Sequence, residues 1–281
     1  MIRCKNRRKV ALNEIKLRFF LCWWIIVVTF QDSMAVRKLI YRSFAALSLL
    51  ILFSDCVAIK DLNYTLEGTR IDLSRKGLTR IPDEVFDQTE TKVLRLFGNK
   101  IDSISDRIGE LVNLEELFIG RNELTSLPAA IGQLKKLRVL YVENNRLESL
   151  PEEIGNLPLL EEVRLGQNQL VSLPESIGKL KNLVFLKLSY NSIESLPAAI
   201  GECSNLGFLY LNRNNLQDLP ESMSKLNRLK EIYLSGAGPL LQVPESMCGL
   251  RYLELINIDN SIALPPCMYV LQANRLQIVQ Q

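Results

Sequence analysis

A block of 23 residues recurs through the middle of the chain, and no other feature limits the possible folds as strongly. Its copies include "LEELFIGRNELTSLP" from residue 114, "LRVLYVENNRLESLP" from 137, "LEEVRLGQNQLVSLP" from 160 and "LGFLYLNRNNLQDLP" from 206. A proline stands at the same place in each copy: Pro128, Pro151, Pro174, Pro197 and Pro220. A fixed period of this length predicts a solenoid, because each repeat is one unit that buries its apolar side only against its neighbours.

The spacing of apolar residues within one repeat predicts its local structure. Leu140 and Val142 alternate with other residues as in a strand, and Leu150, Ile154 and Leu157 then follow at intervals of three or four as in a helical turn. Each repeat is therefore expected to form one strand and one return arm. Stacked repeats place the strands in a parallel sheet, and the inward leucines form one continuous core.

An asparagine occupies one slot of the repeat throughout: Asn99, Asn122, Asn145, Asn168, Asn191 and Asn214. A side-chain amide at this slot can donate to and accept from backbone groups as the chain turns out of the strand. We therefore predict that this column of asparagines is structural and does not bind a partner.

Residues 150–183, "LPEEIGNLPLLEEVRLGQNQLVSLPESIGKLKNL", follow the motif L-x-L-x-x-N-x-L-x-x-L-P. On this motif the chain is identified as a member of the leucine-rich-repeat proteins. Its repeats resemble the 23-residue repeats of leptospiral members, eukaryotic Ras-scaffold members and plant intracellular Ras-group members, over about residues 66 to 271. The resemblance implies an α/β solenoid, a leucine-rich-repeat horseshoe with a parallel β-sheet on the concave face and short helical or 3-10 return arms on the convex face. It also implies that the concave face binds other macromolecules.

The ends of the repeat array are irregular, as terminal repeats are expected to be. We assign residues 57–281 to one repeat domain of about nine repeats, including irregular caps. "SGAGPLLQVP" predicts a local bulge in which Ala237 takes the asparagine slot, and "NRLQIVQQ" predicts a closing strand. Cys248 and Cys267 lie in adjacent coils of this cap, and the sequence leaves open whether they form a disulfide.

Residues 1–56 are predicted to be an export leader. They carry 10 Lys or Arg against 3 Asp or Glu. Their two apolar runs, residues 19–30 and 44–53, are shorter than the roughly 20 residues that a membrane-spanning helix needs. The segment that begins at Met34 is a complete leader by itself, so we expect translation to begin there.

The sequence leaves the fate of this leader open among three outcomes. The residues before Cys56 resemble a bacterial lipoprotein cleavage box, which makes Cys56 a lipidation candidate, although Asp55 stands where a small residue is usual. The other outcomes are soluble export, and retention as an uncleaved anchor or in the cytoplasm. A membrane would be reached only through the leader or a lipid anchor.

Charge and composition argue against several function classes. Of the 34 basic and 31 acidic residues, 24 and 28 lie after residue 56, so the repeat domain is mildly acidic and we expect no nucleic-acid partner. The chain contains no histidine, which removes the commonest general base and metal ligand. It also lacks a CxxC pair and a phosphate-cradling glycine loop, so we expect no enzyme activity, no cofactor and no metal.

The residues that flank the inward leucines of each strand are expected to face the concave side. From residue 95 to residue 233, the column between these leucines contains only aromatic and cationic side chains. Such residues dominate binding hot spots, because they bury a large area with few rotatable bonds to fix. The predicted partner-binding residues are Arg95, Phe97, Phe118, Tyr141, Arg164, Phe185, Lys187, Phe208, Tyr210 and Tyr233.

A second interpretation of these residues is structural. Identical positions on neighbouring strands lie about 4.8 Å apart, so Phe185 with Phe208, and Tyr210 with a tyrosine one repeat later, can stack and stabilise the sheet. Tyr141 with Arg164 and Lys187 with Tyr210 can form cation–π pairs that have the same effect. The two interpretations are compatible with each other.

The sequence thus favours a non-enzymatic protein-binding module that acts through its concave face. We expect an exported monomer that is attached to the cell surface or outer membrane, or secreted. The resemblance to leptospiral members implies a bacterial adhesin whose partner is a host extracellular-matrix or cell-surface protein. The alternatives are an intracellular scaffold for a small GTPase or kinase, and an effector enzyme that would have to work without histidine.

Overall fold

The computed structural model describes residues 66–67, 69–239 and 241–280, so the predicted leader, with Met34 and Cys56, lies outside the described residues. One sheet runs through the described chain with its strands in sequence order. The strands are β1 (Leu66–Glu67), β2 (Arg70–Asp72), β3 (Val93–Arg95), β4 (Glu116–Phe118), β5 (Val139–Tyr141), β6 (Glu162–Arg164), β7 (Phe185–Lys187), β8 (Phe208–Tyr210), β9 (Glu231–Tyr233), β10 (Leu255–Ile258) and β11 (Gln277–Gln280). β1 pairs antiparallel with β2, and the ten strands from β2 to β11 are parallel, which confirms the predicted sheet.

Strand pairing keeps the period of the sequence repeat. Leu94, Leu117 and Leu140 are register partners at the centres of β3, β4 and β5, and all three are fully buried. The residues on either side of each central leucine point to the other face of the sheet and are half-buried. One face of the sheet therefore covers the core, and the other, the concave face, is open to solvent.

The return arms are single turns of 3-10 helix, one of the two forms that the sequence allowed. They are Asp106–Glu110, Ala129–Gln133, Glu152–Asn156, Glu175–Lys179, Ala198–Glu202, Glu221–Lys225 and Glu245–Gly249. A proline precedes most arms, because its fixed φ suits the extended backbone that leads into the turn. At the first arm Ser105 takes this place, and its Oγ accepts a hydrogen bond from the backbone N–H of Arg107.

Neighbouring arms approach each other most closely at a glycine. A Cβ added to Gly178 would lie 2.5 Å from the carbonyl oxygen of Ala199 in the next arm, which is closer than any real Cβ contact. Gly155 and Gly201 meet the following arm in the same way. The isoleucine–glycine pair of the repeat is therefore a stacking device, in which the isoleucine fills the core and the glycine admits the next arm.

The core is one continuous row of aliphatic side chains between the sheet and the arms. Each coil contributes the inward residues of its strand and the apolar residues of its arm, and most of them are fully buried. Cys203 takes the slot that leucine holds in other coils, at Leu180 for example, and it is also fully buried. Its Sγ–H donates to the carbonyl of Ile177 at 3.2 Å, and burial raises the pKa of the thiol to about 11. It is thus a core residue.

The asparagine column links each coil to the one before it. The Nδ2 of Asn168 donates to the carbonyls of Leu165 (2.9 Å) and Val142 (3.0 Å), and its Oδ1 accepts from the N–H of Leu147 (3.0 Å). Asn145 makes the equivalent three bonds one coil earlier. Each amide thus satisfies three backbone groups that the turn leaves unpaired, and the predicted structural role is confirmed.

A short helix, α1 (Asp83–Phe86), takes the place of the 3-10 arm in the coil that begins with β2, and Pro82 precedes it. The last residue of this helix, Phe86, has a fully buried side chain. The guanidinium of Arg107 lies 5.3 Å from the Phe86 ring centroid and pairs with Asp87 and Glu110, each at 2.9 Å. Because these ion pairs are solvent-exposed, the buried ring contributes more to this cap than the charges do.

The C-terminal cap departs from the repeat as the sequence predicts. Ala237 takes the asparagine slot and is fully buried, and Gly236 before it adopts a positive φ. Cys248 and Cys267 form a disulfide, which joins the last 3-10 arm to the helix α2 (Pro266–Gln272). β11 then pairs in parallel with β10, so the expected closing strand is present.

Candidate binding face on the concave sheet

The structure places all ten predicted binding residues on the concave face. Nine belong to strands β3 to β9, and Phe97 lies two residues after the end of β3. Register partners such as Arg95 with Phe118, and Tyr210 with Tyr233, bring these side chains together in columns across the sheet. All ten are half-buried, so they rest on one another while part of each remains accessible.

Two arginines and three rings form an interlocked group at the N-terminal end of this face, here called the arginine–aromatic cluster. The guanidinium carbon of Arg95 lies 5.0 Å from the centroid of Phe118 in the next coil, and that of Arg121 lies 5.5 Å from Phe97 in the preceding coil. Tyr141 contacts both rings, with centroid distances of 6.5 Å to Phe97 and 6.1 Å to Phe118. The two cations therefore border a single cluster of three rings.

Arg121 reaches the preceding coil because of its backbone conformation. The residue before each structural asparagine adopts a positive φ, and Arg121, Tyr190 and Arg213 occupy this slot. Such a conformation is uncommon for residues other than glycine. Arg213 lies 5.4 Å from the Tyr190 ring, so it repeats the stacking of Arg121 four coils later. Sequence reasoning missed the constraint, although Gly98 in the same slot is a weak signal of it.

The middle of the face carries paired charges. Arg164 stacks on Phe185 at 4.7 Å, lies 6.0 Å from Tyr141 and pairs through Nε with Glu162. The other cation, Lys187, does not lie over Tyr210 as the cation–π interpretation suggested; its Nζ is 2.9 Å from Oε1 of Glu143. That oxygen makes no hydrogen bond of good geometry, so the contact is an ion pair.

Glu143 was missed in the sequence. Its side chain is only 8% exposed, which makes it the most buried carboxylate among the ion pairs of the described residues. The sequence feature that could have indicated its position is a pair of glycines. Gly120 and Gly166 occupy the same repeat position one coil before and one coil after Glu143. Small neighbours leave room for a side chain that lies flat against the sheet, and Lys187 then neutralises the buried charge.

Four rings at the C-terminal end of the face form the aromatic ladder: Phe185, Phe208, Tyr210 and Tyr233. Phe185 lies 6.2 Å from Phe208 and 5.1 Å from Tyr210, and Tyr210 stacks on Tyr233 at 4.3 Å with an interplanar angle of 9°. The Oη of Tyr233 donates to Glu231 at 3.0 Å. The stacking expected from strand spacing is therefore present.

The tyrosines of the face remain protonated at neutral pH. Burial, followed by the hydrogen bond and charge of Glu143, raises the pKa of Tyr141 to about 12. Burial and Glu231 raise the pKa of Tyr210 and of Tyr233 as well. The hydroxyls therefore keep their protons, which Tyr141 and Tyr233 donate to Glu143 and Glu231, and the face does not change charge near neutral pH through these groups.

The residues that the structure describes offer neither a membrane-crossing helix nor a cluster of metal ligands. None of the helices there has the length and apolar character needed to cross a bilayer. No group of three or more potential metal-ligating side chains occurs in the same part of the chain. Cys56, the lipidation candidate, lies outside it.

Two family models match the chain. A model described as a leucine-rich repeat region matches residues 83–169, and another described as leucine rich repeat matches residues 158–216. Both matches lie within the array of parallel strands and 3-10 arms. No curated protein matches the chain.

The solved structures of a plant receptor and of a bacterial internalin share the architecture. The plant peptide hormone receptor RGFR1, in complex with RGF2, has a TM-score of 0.63 and 27% identity, over 72% of this chain and 33% of the receptor chain. An internalin from Listeria monocytogenes has a TM-score of 0.65 over 75% of this chain and 60% of its own, but its 16% identity shows the fold alone. A leucine-rich-repeat protein of Leptospira interrogans is 26% identical over 74% of this chain and 71% of its own, with a TM-score of 0.36. The chain thus spans only a third of the receptor that it resembles.

Proposed function

This chain is a leucine-rich-repeat protein, and from that premise we propose that it is a non-enzymatic module that binds another protein through its concave face. One observation carries the proposal: aromatic and arginine side chains are concentrated on that face. The arms on the opposite side present residues such as Glu152 and Glu175, which are exposed. Large aromatic and arginine side chains supply most of the free energy in protein interfaces, whereas exposed glutamates supply little.

The stacking of the rings supports this function. Tyr210 and Tyr233 already hold each other at 4.3 Å, and Phe185 rests against Tyr210 at 5.1 Å. A side chain that is held in place before binding loses less conformational entropy when the partner arrives. The same contacts can therefore stabilise the sheet and prepare it for an interface.

The structural neighbours support a peptide or protein as the partner. RGFR1 was solved in complex with RGF2, and its repeat region shares 27% identity with this chain. The two proteins differ greatly in length, so the similarity bears on the type of surface and leaves the partner to be identified. For this chain the proposed partner is a protein, bound by a single copy of the module.

The proposed location is outside the cytoplasm, at the cell surface or outer membrane or in secreted form. The order of basic segment, apolar run and Cys56 supports export, with Cys56 as the lipidation candidate. The disulfide between Cys248 and Cys267 supports it independently, because disulfides persist in oxidising compartments. A host extracellular-matrix or cell-surface protein is the partner proposed for a bacterial adhesin. An intracellular scaffold for a small GTPase or kinase would instead keep these cysteines reduced.

Partner capture with the full-length chain, followed by affinity measurement on the identified protein, tests the proposal. Replacing Phe208 and Tyr210 together by Ser should weaken binding by at least about 2 kcal/mol, the level of a hot spot, because two anchors of the ladder are lost. Glu152→Gln and Glu175→Gln on the arms serve as controls and should change affinity little. The proposal fails if the arm variants lose the partner and the Phe208/Tyr210 variant binds it like wild type.

A further inference from the structure

We infer that the arginine–aromatic cluster binds carboxylates of an acidic segment of the partner protein. This rests on the proposed function and names the chemistry of the partner at one end of the concave face. In the cluster two neighbouring guanidinium groups lack a carboxylate of their own among the described residues, whereas the cations in the middle of the face are paired; Arg213, the other unpaired arginine named above, lies four coils from Arg121.

The ion pairs of the concave face show this difference. Arg164 pairs with Glu162, and Lys187 pairs with Glu143. Among the described residues, neither Arg95 nor Arg121 has a carboxylate oxygen within 4.0 Å. These two guanidinium groups therefore keep their hydrogen-bond donors for a ligand.

The rings hold both guanidinium groups in place. Arg95 lies over Phe118 and Arg121 over Phe97, so the planar groups are oriented before a ligand arrives. Within the described part of the chain, the Nε of Arg95 is buried and has no hydrogen-bond partner, so the group is held by its ring contact. The two terminal nitrogens of each guanidinium are in no ion pair of the described residues, and a carboxylate that docks there can accept two parallel hydrogen bonds.

The nearest acid does not occupy this site. Asp72 is the register partner of Arg95, but its Oδ1 accepts a hydrogen bond from the backbone N–H of Ser74 at 3.0 Å. Burial acts to raise the pKa of Asp72, yet its bonds to Ser74 and the positive charges of Arg95 and Arg70 lower it overall. Asp72 is thus committed to its own turn, and Arg70 adds positive charge to this end of the face.

The partner chemistry follows from the other charges of the face. Glu116, Glu162 and Glu231 lie on the same side of the sheet, and the residues after position 56 carry 28 acidic against 24 basic side chains. A uniform polyanion such as a nucleic acid or sulfated glycan would find unpaired cations at the cluster but already paired cations in the middle of the face, so its charge would not be matched along its length. A protein segment can place carboxylates at the cluster and apolar residues farther along.

The aromatic ladder is the matching site for that apolar part. From β3 to β8 the sheet advances by five strand spacings, or about 24 Å, which corresponds to roughly seven residues of extended chain. An extended partner segment would therefore carry acidic and apolar residues about seven positions apart. Two ion pairs lie between the cluster and the ladder, Arg164–Glu162 and Lys187–Glu143. They present no unpaired charge to the partner segment.

A random peptide library displayed on phage tests this inference, with the full-length chain as bait. We expect wild-type bait to enrich peptides that contain Asp or Glu. The Arg95→Gln/Arg121→Gln double variant should lose this enrichment, and a selected peptide should bind it about tenfold or more weakly. Raising the salt concentration should weaken wild-type binding, because exposed charge interactions are screened.

Arg213→Gln provides a matched control, because Arg213 has the same backbone conformation and also stacks on a ring. We expect it to select acidic peptides like wild type, and thermal melts should show that all baits are folded. Equal loss in Arg213→Gln and in the double variant would overturn the inference, as would a wild-type selection without acidic enrichment. Heparin is the probe for a sulfated glycan. If heparin binding requires Arg95 and Arg121 and the library yields no acidic peptides, the two arginines bind a glycan and the inference is overturned as well.

The outcome is separable from that of the proposed function. If the Phe208/Tyr210 variant loses the captured partner while the arginine double variant keeps it, the concave face binds protein but the acidic-segment inference is wrong. If both variants keep the partner and the arms are required, the proposed function itself is wrong.

Discussion

At the scale of single residues, the asparagine column and the slot before it constrain the chain in different ways. The asparagines are recognisable in the sequence because the same side-chain chemistry satisfies the turn in each of the six coils that carry one. The preceding slot requires a positive φ, and Gly98 and Asn144 suit it, but Arg121, Gln167, Tyr190 and Arg213 are not turn residues. The sequence therefore predicted the hydrogen-bonding residue and missed the backbone constraint beside it.

Replacing Asn168 by Ala should lower the free energy of unfolding by about 1 to 3 kcal/mol, because its three backbone partners would lose their hydrogen bonds. Urea melts of the purified chain measure this change. Asn227→Ala is the control: Asn227 is exposed and no side-chain hydrogen bond holds it, so its melt should match wild type. Coincident melts for Asn168→Ala and wild type would contradict the structural role of the asparagine column.

At the scale of elements, the strands were easier to predict than the arms. The L-x-L alternation has only one explanation, a strand with one buried face, and every repeat strand shows it. Apolar spacings of three and four in the arms suit either an α-turn or a 3-10 turn. The structure selects the 3-10 form, and arms of five residues stack at glycines such as Gly178.

Replacing Gly178 by Ala should destabilise the protein by about 1 to 3 kcal/mol, because the new Cβ would overlap the carbonyl of Ala199 and push two arms apart. Gly249→Ala provides a control with the opposite expectation. A Cβ at Gly249 meets nothing within 4 Å, so the change should be neutral or stabilise by about 0.4 to 1 kcal/mol through the unfolded state. Thermal melts of the two variants should diverge, and a shift in the same direction for both would refute the stacking role.

At the scale of the whole molecule, the repeat predicted the architecture but not the pairing of charges on the concave face. The repeat pattern placed Lys187 beside Tyr210 on the neighbouring strand. The long side chain instead turns to Glu143, which follows β5 two coils earlier, and its Nζ lies 2.9 Å from Oε1 of Glu143. Flexible side chains choose partners by burial and charge, which a linear pattern does not record. The same limit applies to the unpaired state of Arg95 and Arg121.

The disulfide should stabilise the C-terminal end of the solenoid. Reducing it, or replacing Cys267 by Ser, should lower the free energy of unfolding by about 2 to 4 kcal/mol, since the bond closes a loop between residues 19 apart. Urea melts with and without reductant give the difference. Cys203 is buried in the core, so reductant should not affect the folded protein through it. Free thiols at both Cys248 and Cys267 in protein purified from its native source would contradict the bond.

Processing gives a further prediction for the full chain. The mature protein should begin at or near Cys56, because a basic segment, an apolar run and this cysteine occur in the order that a leader requires. Intact-mass measurement of the native protein decides the matter. A mature N-terminus that retains "MAVRKLIYR" would support the intracellular scaffold instead.

The stacking of identical coils makes the distance between the two ends of the face adjustable in whole steps. The arginine–aromatic cluster lies on β3 to β5 and the aromatic ladder on β7 to β9, so β6 acts as a spacer between them. Loss or duplication of one 23-residue repeat would move the two ends closer or farther by one strand spacing, about 4.8 Å, and leave each end intact. The number of repeats between the two ends therefore determines how long a partner segment the face can accommodate.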